Sequence, residues 1–204
     1  MPIPKLKPCD IILSRTDAWL SKAIRAFEKK RTGSARFSHA AMALGDLTEK
    51  QEVIESLWKI QRSPLAKYEK ESIIIYRHKL LTDIERREIS LIALSVSNAP
   101  YALLKIPLFA LDAAFNTYFF TSKLGISSFK VCSNLAAWSY HQYFKQKSED
   151  LFTSGVPFPK NSWQKRYAEN GVFDTGWKST SPDTIDDNNR EEPELWEQVY
   201  AQDV

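Results

Sequence analysis

The chain has 204 residues, 43% of them apolar and 12% aromatic, which suits one domain with a real core and excludes a wholly disordered polymer. The net charge of +3 is uneven: in residues 181–204 eight acids (Asp183, Asp186, Asp187, Glu191, Glu192, Glu194, Glu197, Asp203) face Arg190 alone, leaving −7 there and +10 on residues 1–180. Lys and Arg are scattered, so the basic body reads as a solvated surface with an acidic tail folded over it, and no nucleic acid is expected as a partner. Two cysteines, Cys9 and Cys132, make no disulfide framework, and the N-terminus carries no apolar run of signal-peptide length. The expectation is a cytoplasmic protein with free thiols, although one delivered by another route would look the same.

Pro2, Pro4 and Pro8 make an extended lead-in to a short buried strand over Cys9–Ser14. Asp17 can cap a helix over 18–30 that carries Trp19, Leu20, Ile24 and Phe27 on one face and stops near Gly33. Three strands are expected over Ser38–Leu44, Glu52–Leu57 and Ser72–His78, the first ending in the turn signal Gly45-Asp46. Thr82-Asp83-Ile84-Glu85 resembles a capping box and should start a helix that runs to about Ser97.

Residues 101–121 are the most apolar stretch, interrupted by Lys105, Pro107, Asp112 and Asn116. They read as a buried or half-buried helix beside the functional site in preference to a membrane-contact helix. Ser127-Ser128 precede a helix that holds Cys132 and runs to about Phe144, and Pro157, Pro159 and Gly171 mark an irregular region beyond it. Helix, antiparallel strands, then helices point to an α+β fold in one domain over 1–180, with 181–204 as an acidic tail.

The chemistry rests on a few polar residues. Cys132 stands where a helix N-terminus and a nearby imidazole could lower a thiol pKa, and the backbone N–H of Cys132 or Ser133 is a candidate oxyanion donor. Taken alone, though, Cys132 reads first as a small buried core residue. His39 opens a small-residue strand and can project into a cleft as a general base, or be a satisfied structural histidine. His78, between Arg77 and Lys79, reads as solvent-facing, and His141 lies more than two turns along the Cys132 helix, too far to pair with the thiol. Glu55 shares a strand face with Val53 and Leu57, where a carboxylate is costly unless partnered; a histidine from the next strand would suit it. An edge-strand acid facing water is the equal alternative. Two Cys and three His at these separations do not make a zinc site, and no cofactor motif is present.

Three segments together carry a resemblance: Pro8-Cys9-Asp10-Ile11-Ile12-Leu13, Phe37-Ser38-His39 followed by Val53-Ile54-Glu55, and Val131-Cys132-Ser133. In that order they resemble the circularly permuted branch of the NlpC-type papain-like hydrolases, the group that includes YiiX-like proteins. The resemblance covers roughly residues 8–165. It implies a papain-like α+β core, with the cysteine helix packed on a small antiparallel sheet. It implies Cys132 as nucleophile, His39 as base and Glu55 as orienting acid, with Tyr101 lining the cleft and Ser133 and Ser38 beside the substrate. Pro157-Phe158-Pro159 resembles the proline-containing segment that follows the cysteine helix.

One departure is Cys9, which stands where the resembled family has glycine and would be strained if that position needs a positive φ. The resemblance makes the expected activity cysteine hydrolysis of a peptide or isopeptide amide through an acyl-enzyme. A lipid acyl hydrolase or acyltransferase of the lecithin:retinol acyltransferase-like type is a second expectation, with membrane contact through 101–121. A binding module that merely keeps the fold is a third.

Overall fold

The computed structural model describes residues 2–15, 21–22, 25–26, 29, 35–57, 59–99, 132–154 and 182–203. The expected 101–121 helix, Tyr101 and the 157–159 segment lie outside them. Of the expected 18–30 helix, Ser21, Lys22, Arg25, Ala26 and Lys29 are helical and the remainder lies outside the described residues.

Six strands form one antiparallel sheet: β1 (Ile11–Arg15), β2 (His39–Ala43), β3 (Glu52–Ser56), β4 (Ile60–Pro64), β5 (Ser72–His78) and β6 (Trp196–Gln202), in the order β4-β3-β2-β1-β5-β6. Among the described residues three α-helices accompany them, besides the helical residues within 21–29: α1 (Asp83–Ser95), α2 (Cys132–Ser154) and α3 (Pro182–Glu191). The architecture is α+β, as the order of elements in the sequence suggested.

β1 is apolar on consecutive residues because it lies between β2 and β5 with both faces covered. Ile11 and Leu13 join Ala40, Met42, Ile54, Ile74 and Tyr76 on the face that packs under α1 and α2, where Ile89, Ala93, Leu135, Ala136 and Tyr140 meet them. Ile12 joins Ala41, Ala43, Val53, Ile73 and Ile75 on the opposite face, closed by Leu6, Leu65 and Tyr68. Thr82 caps α1: its side chain accepts from the Glu85 N–H, and the Glu85 carboxylate accepts from the Thr82 N–H. α2 continues ten residues beyond Phe144, because Lys, Gln, Glu and Leu sustain a helix and no glycine intervenes before Gly155.

Two strands escaped the sequence pattern. β4 reads Ile-Gln-Arg-Ser-Pro, a polar edge strand that ends on proline. β6 lies in the acidic segment, and α3 lies there too. That segment is therefore part of the domain, the strand paired along β5, and not a tail laid over it. Trp196 and Leu195 enter the core. Asp186 is buried and accepts from the Tyr76 hydroxyl (2.5 Å) and from Arg36 (2.9 Å), so one of the eight acids works inside the protein.

His78 also departs from expectation. It is 3% exposed and meets the Trp196 ring edge-on at a centroid distance of 4.9 Å, with Tyr140 and Phe144 nearby. Burial, then the Arg86 charge, lowers its pKa to about 3, so the ring is neutral. Its charged sequence neighbours point elsewhere. Strand alternation groups His78 with Tyr76 and Ile74 on the helix-covered face.

The Pro8-Cys9-Asp10 corner is the most constrained turn. Cys9 holds φ at 60°, so the thiol-bearing residue does occupy a glycine-type conformation. Its N–H donates to the Ser90 hydroxyl (2.8 Å) and the Ala43 carbonyl (2.9 Å), and Tyr140 donates to its carbonyl (2.9 Å). Gly45 packs beneath, where a Cβ would fall 2.4 Å from the Pro8 nitrogen. Asp10 is fully buried and takes a two-pronged bond from Arg77 (2.9 and 2.6 Å), the Lys7 N–H (2.9 Å) and a longer ion pair with Arg86 (3.8 Å).

Removing one side of a buried charge cluster strands the other. Asp10→Ala should therefore cost about 3 kcal/mol of stability, read as a lower urea midpoint. An unchanged midpoint would show that the corner does not depend on this acid.

Candidate functional site

Four elements meet at one point. His39 is the first residue of β2, and Glu55 lies on β3, where it pairs across from Ala41. His39 and Glu55 are thus diagonal neighbours on the same face, within reach of each other's side chains. The His39 Nε2 to Glu55 Oε2 distance is 2.7 Å. His39 stands at the very start of its strand, and its imidazole also hydrogen-bonds the Cys132 thiol at the beginning of α2. One imidazole therefore bridges Cys132 and Glu55.

The pKa directions follow from this geometry. Burial by itself would raise the Cys132 pKa, but the His39 charge and hydrogen bond, with the backbone N–H groups of Ala40 and Ser133, bring it below its ordinary value of 9.0. Burial by itself would lower that of His39. The Cys132 charge and hydrogen bond, followed by Glu55, outweigh it and raise the imidazole from 6.5 to about 9. The two shifts run in the same sense, each favouring a thiolate beside an imidazolium.

Glu55 has no exposed surface, yet it remains ionised. Burial would raise its pKa; hydrogen bonds and charge from His39, then hydrogen bonds from Lys67 and Ser63, hold it well below the usual carboxylate range. Lys67 Nζ is 2.5 Å from Oε1, and the Tyr68 hydroxyl donates to Oε2 at 2.8 Å. The Tyr68 ring lies parallel to the His39 imidazole, 8° between planes and 6.4 Å between centroids. Lys67 and Tyr68 belong to a 3-10 turn, Leu65–Tyr68, that follows β4 directly.

Cys132, His39 and Glu55, the residues singled out in the sequence, are brought together. Ser133 is buried beside the thiol, and its N–H faces the sulfur. Ser38 is buried with its hydroxyl 2.5 Å from that of Ser21, on the stretch that leads into His39. Tyr101 lies outside the described residues. Sequence reasoning missed Lys67, Tyr68 and Ser63. The one signal for them was an aromatic residue, Tyr68, isolated among Lys67, Glu69, Lys70 and Glu71. Cys9 stays outside the site: it is fully buried, and its thiol is pushed up to about 12 by burial.

No family model matches the chain, and no curated protein matches it in sequence. Its fold is YiiX-like. The crystal structure of metalloprotein yiiX from Escherichia coli O157:H7 superposes with a TM-score of 0.59 over 97% of this chain and 98% of that one, at 17% identity. Among the described residues no helix is long and apolar enough to cross a membrane.

The bridge makes His39 sensitive to its thiol partner. In the wild type, the NMR titration of the His39 ring should give a midpoint near 9; Cys132→Ser should lower it, because the leading raising influence is gone. Equal midpoints would mean that the thiol and the ring are not electrostatically joined. For stability, Glu55 has a folded pKa below its unfolded one, so its contribution is complete above about 4.5 and is lost as the pH falls below that. Glu55→Gln should therefore flatten the acid side of the stability curve.

Proposed function

We propose that the chain is a cysteine hydrolase of the permuted NlpC-type papain-like kind that cleaves a peptide or isopeptide amide. The observation that carries this reading is the single imidazole held between a thiol at the start of a helix and a buried carboxylate. Thiol, base and orienting acid are the three roles that nucleophilic acyl transfer needs.

In the proposed reaction, Cys132 gives its proton to His39 and the thiolate attacks the carbonyl carbon. The new C–S bond displaces the carbonyl π electrons onto oxygen. As they return, the C–N bond breaks and the His39 imidazolium gives its proton to the leaving amine. A thioester remains on Cys132. His39, now neutral, takes a proton from water, whose oxygen attacks the thioester carbonyl. As the tetrahedral intermediate collapses, the C–S bond breaks, the acid is released and Cys132 leaves as a thiolate beside the protonated His39. Glu55 keeps the ring oriented and steadies its positive charge throughout. A small peptide amide is the first substrate class to try, with an ester as the easier chemical variant.

The neighbouring yiiX is described as a metalloprotein. Among the described residues of this chain, no group of three His, Cys, Asp or Glu side chains could hold a metal ion. The lipid acyltransferase reading is favoured by the apolar 101–121 segment and the +10 charge of residues 1–180; proteins of that type place a second histidine in the third role, for which this chain offers Glu55.

Incubation with activated peptide esters and amides, followed by intact-mass analysis, tests the proposal. A mass increase equal to the acyl group, mapped to Cys132 and absent in Cys132→Ala, is expected. His39→Gln should slow acylation by at least about a hundredfold. Acylation elsewhere, or acylation at Cys132 that is indifferent to His39, would contradict it.

A further inference from the structure

The buried charges at the site do not balance within the triad. A Cys132 thiolate, a His39 imidazolium and a Glu55 carboxylate sum to one surplus negative charge. Cys132 is 8% exposed and Glu55 not at all. An uncompensated charge in such surroundings works against its own ionisation, and the thiolate is the member most easily lost to a proton.

Lys67 supplies the missing charge. Its ammonium lies 2.5 Å from Glu55 Oε1, the oxygen that His39 does not use, while the Lys67 side chain keeps about a third of its surface in solvent (31%). The cation thus reaches a fully buried acid without being wholly desolvated itself. The turn that carries it is fixed by Tyr68, which has no exposed surface and bonds the other carboxylate oxygen. Glu55 is held at both oxygens: Oε2 by His39 and Tyr68, Oε1 by Lys67.

We propose that Lys67 is a positioning residue for the Cys132–His39 pair: it brings the four-charge chain of Cys132, His39, Glu55 and Lys67 to neutrality, and so sets the pH range over which the thiolate–imidazolium pair exists. This deepens the hydrolase reading above and rests on it. Two consequences follow. Without Lys67, the excess negative charge makes every group in the chain hold its proton more tightly, so thiolate formation moves to higher pH. Imidazolium loss moves to higher pH as well, since Glu55 then acts undiluted on His39. The whole active range shifts alkaline; it does not merely shrink. The titratable and charged groups at this chain are His39 from β2, Glu55 from β3, Lys67 and Tyr68 from the 3-10 turn and Cys132 from α2, while Glu71, just after the turn, acts on Tyr68.

Iodoacetamide alkylation of Cys132 against pH tests this without any substrate, and the buried Cys9 thiol, pushed up to about 12, leaves Cys132 as the group read. In Lys67→Met the rise of alkylation should move up by about one pH unit, which is about a tenfold slower rate at a fixed pH on the rising limb. Lys67→Arg, which keeps the charge, should restore the wild-type curve. Lys67→Gln, which keeps a hydrogen-bond donor without the charge, should follow Lys67→Met and gives a second test should the methionine variant not fold. A folded Lys67→Met or Lys67→Gln protein with the wild-type curve overturns the inference, and so does a lower rate with unmoved limbs, the mark of a purely structural prop. A wild-type Cys132 that titrates as an ordinary thiol and ignores His39→Gln would instead defeat the hydrolase reading itself.

Discussion

A carboxylate with no exposed surface governs this site. Glu55 sits on a strand face otherwise occupied by Val53, Ala41 and Ala43, where an unpartnered charge would cost several kcal/mol. The structure satisfies it from every side: His39 from the neighbouring strand, Ser63 from the strand beyond, and Lys67 and Tyr68 from the turn that follows. Those bonds fix the imidazole, and the fixed imidazole holds the thiol. The register of β2 on β3, which sets Ala41 opposite Glu55, is therefore a chemical constraint as well as a packing one.

Two other buried acids organise the rest of the domain by the same rule. Asp10 gathers Arg77, Arg86 and the Lys7 amide at the corner where Cys9 takes its positive φ. Asp186 gathers Tyr76 and Arg36, which joins the acidic C-terminal segment to the stretch just before His39. Each acid is far in sequence from most of its partners, so each one closes the chain on itself.

Local signals were legible in the sequence. Ile73-Ile74-Ile75 marked β5 with its observed bounds, and the Thr82–Glu85 box marked the start of α1. The pairing of His39 with Glu55 could be anticipated, because strand alternation put an acid on an apolar face. What could not be read depends on distant approach. Ile60–Pro64 and Trp196–Gln202 carry too many polar residues to announce themselves, because the outer side of an edge strand faces water. Lys67 and Tyr68 gain meaning only when the turn folds back on β3. His78 was misread from its charged neighbours, although parity with Ile74 and Tyr76 argued for burial.

The proposed chemistry requires Cys132 to ionise below its ordinary range because His39 is charged beside it. The ultraviolet absorbance of the thiolate, recorded as the difference between wild type and Cys132→Ala across pH, measures this directly. A thiolate signal that persists below pH 9.0 and moves up toward 9.0 or above in His39→Gln is expected. A difference spectrum that rises only near 9.0 in the wild type, with no change on loss of His39, would contradict it.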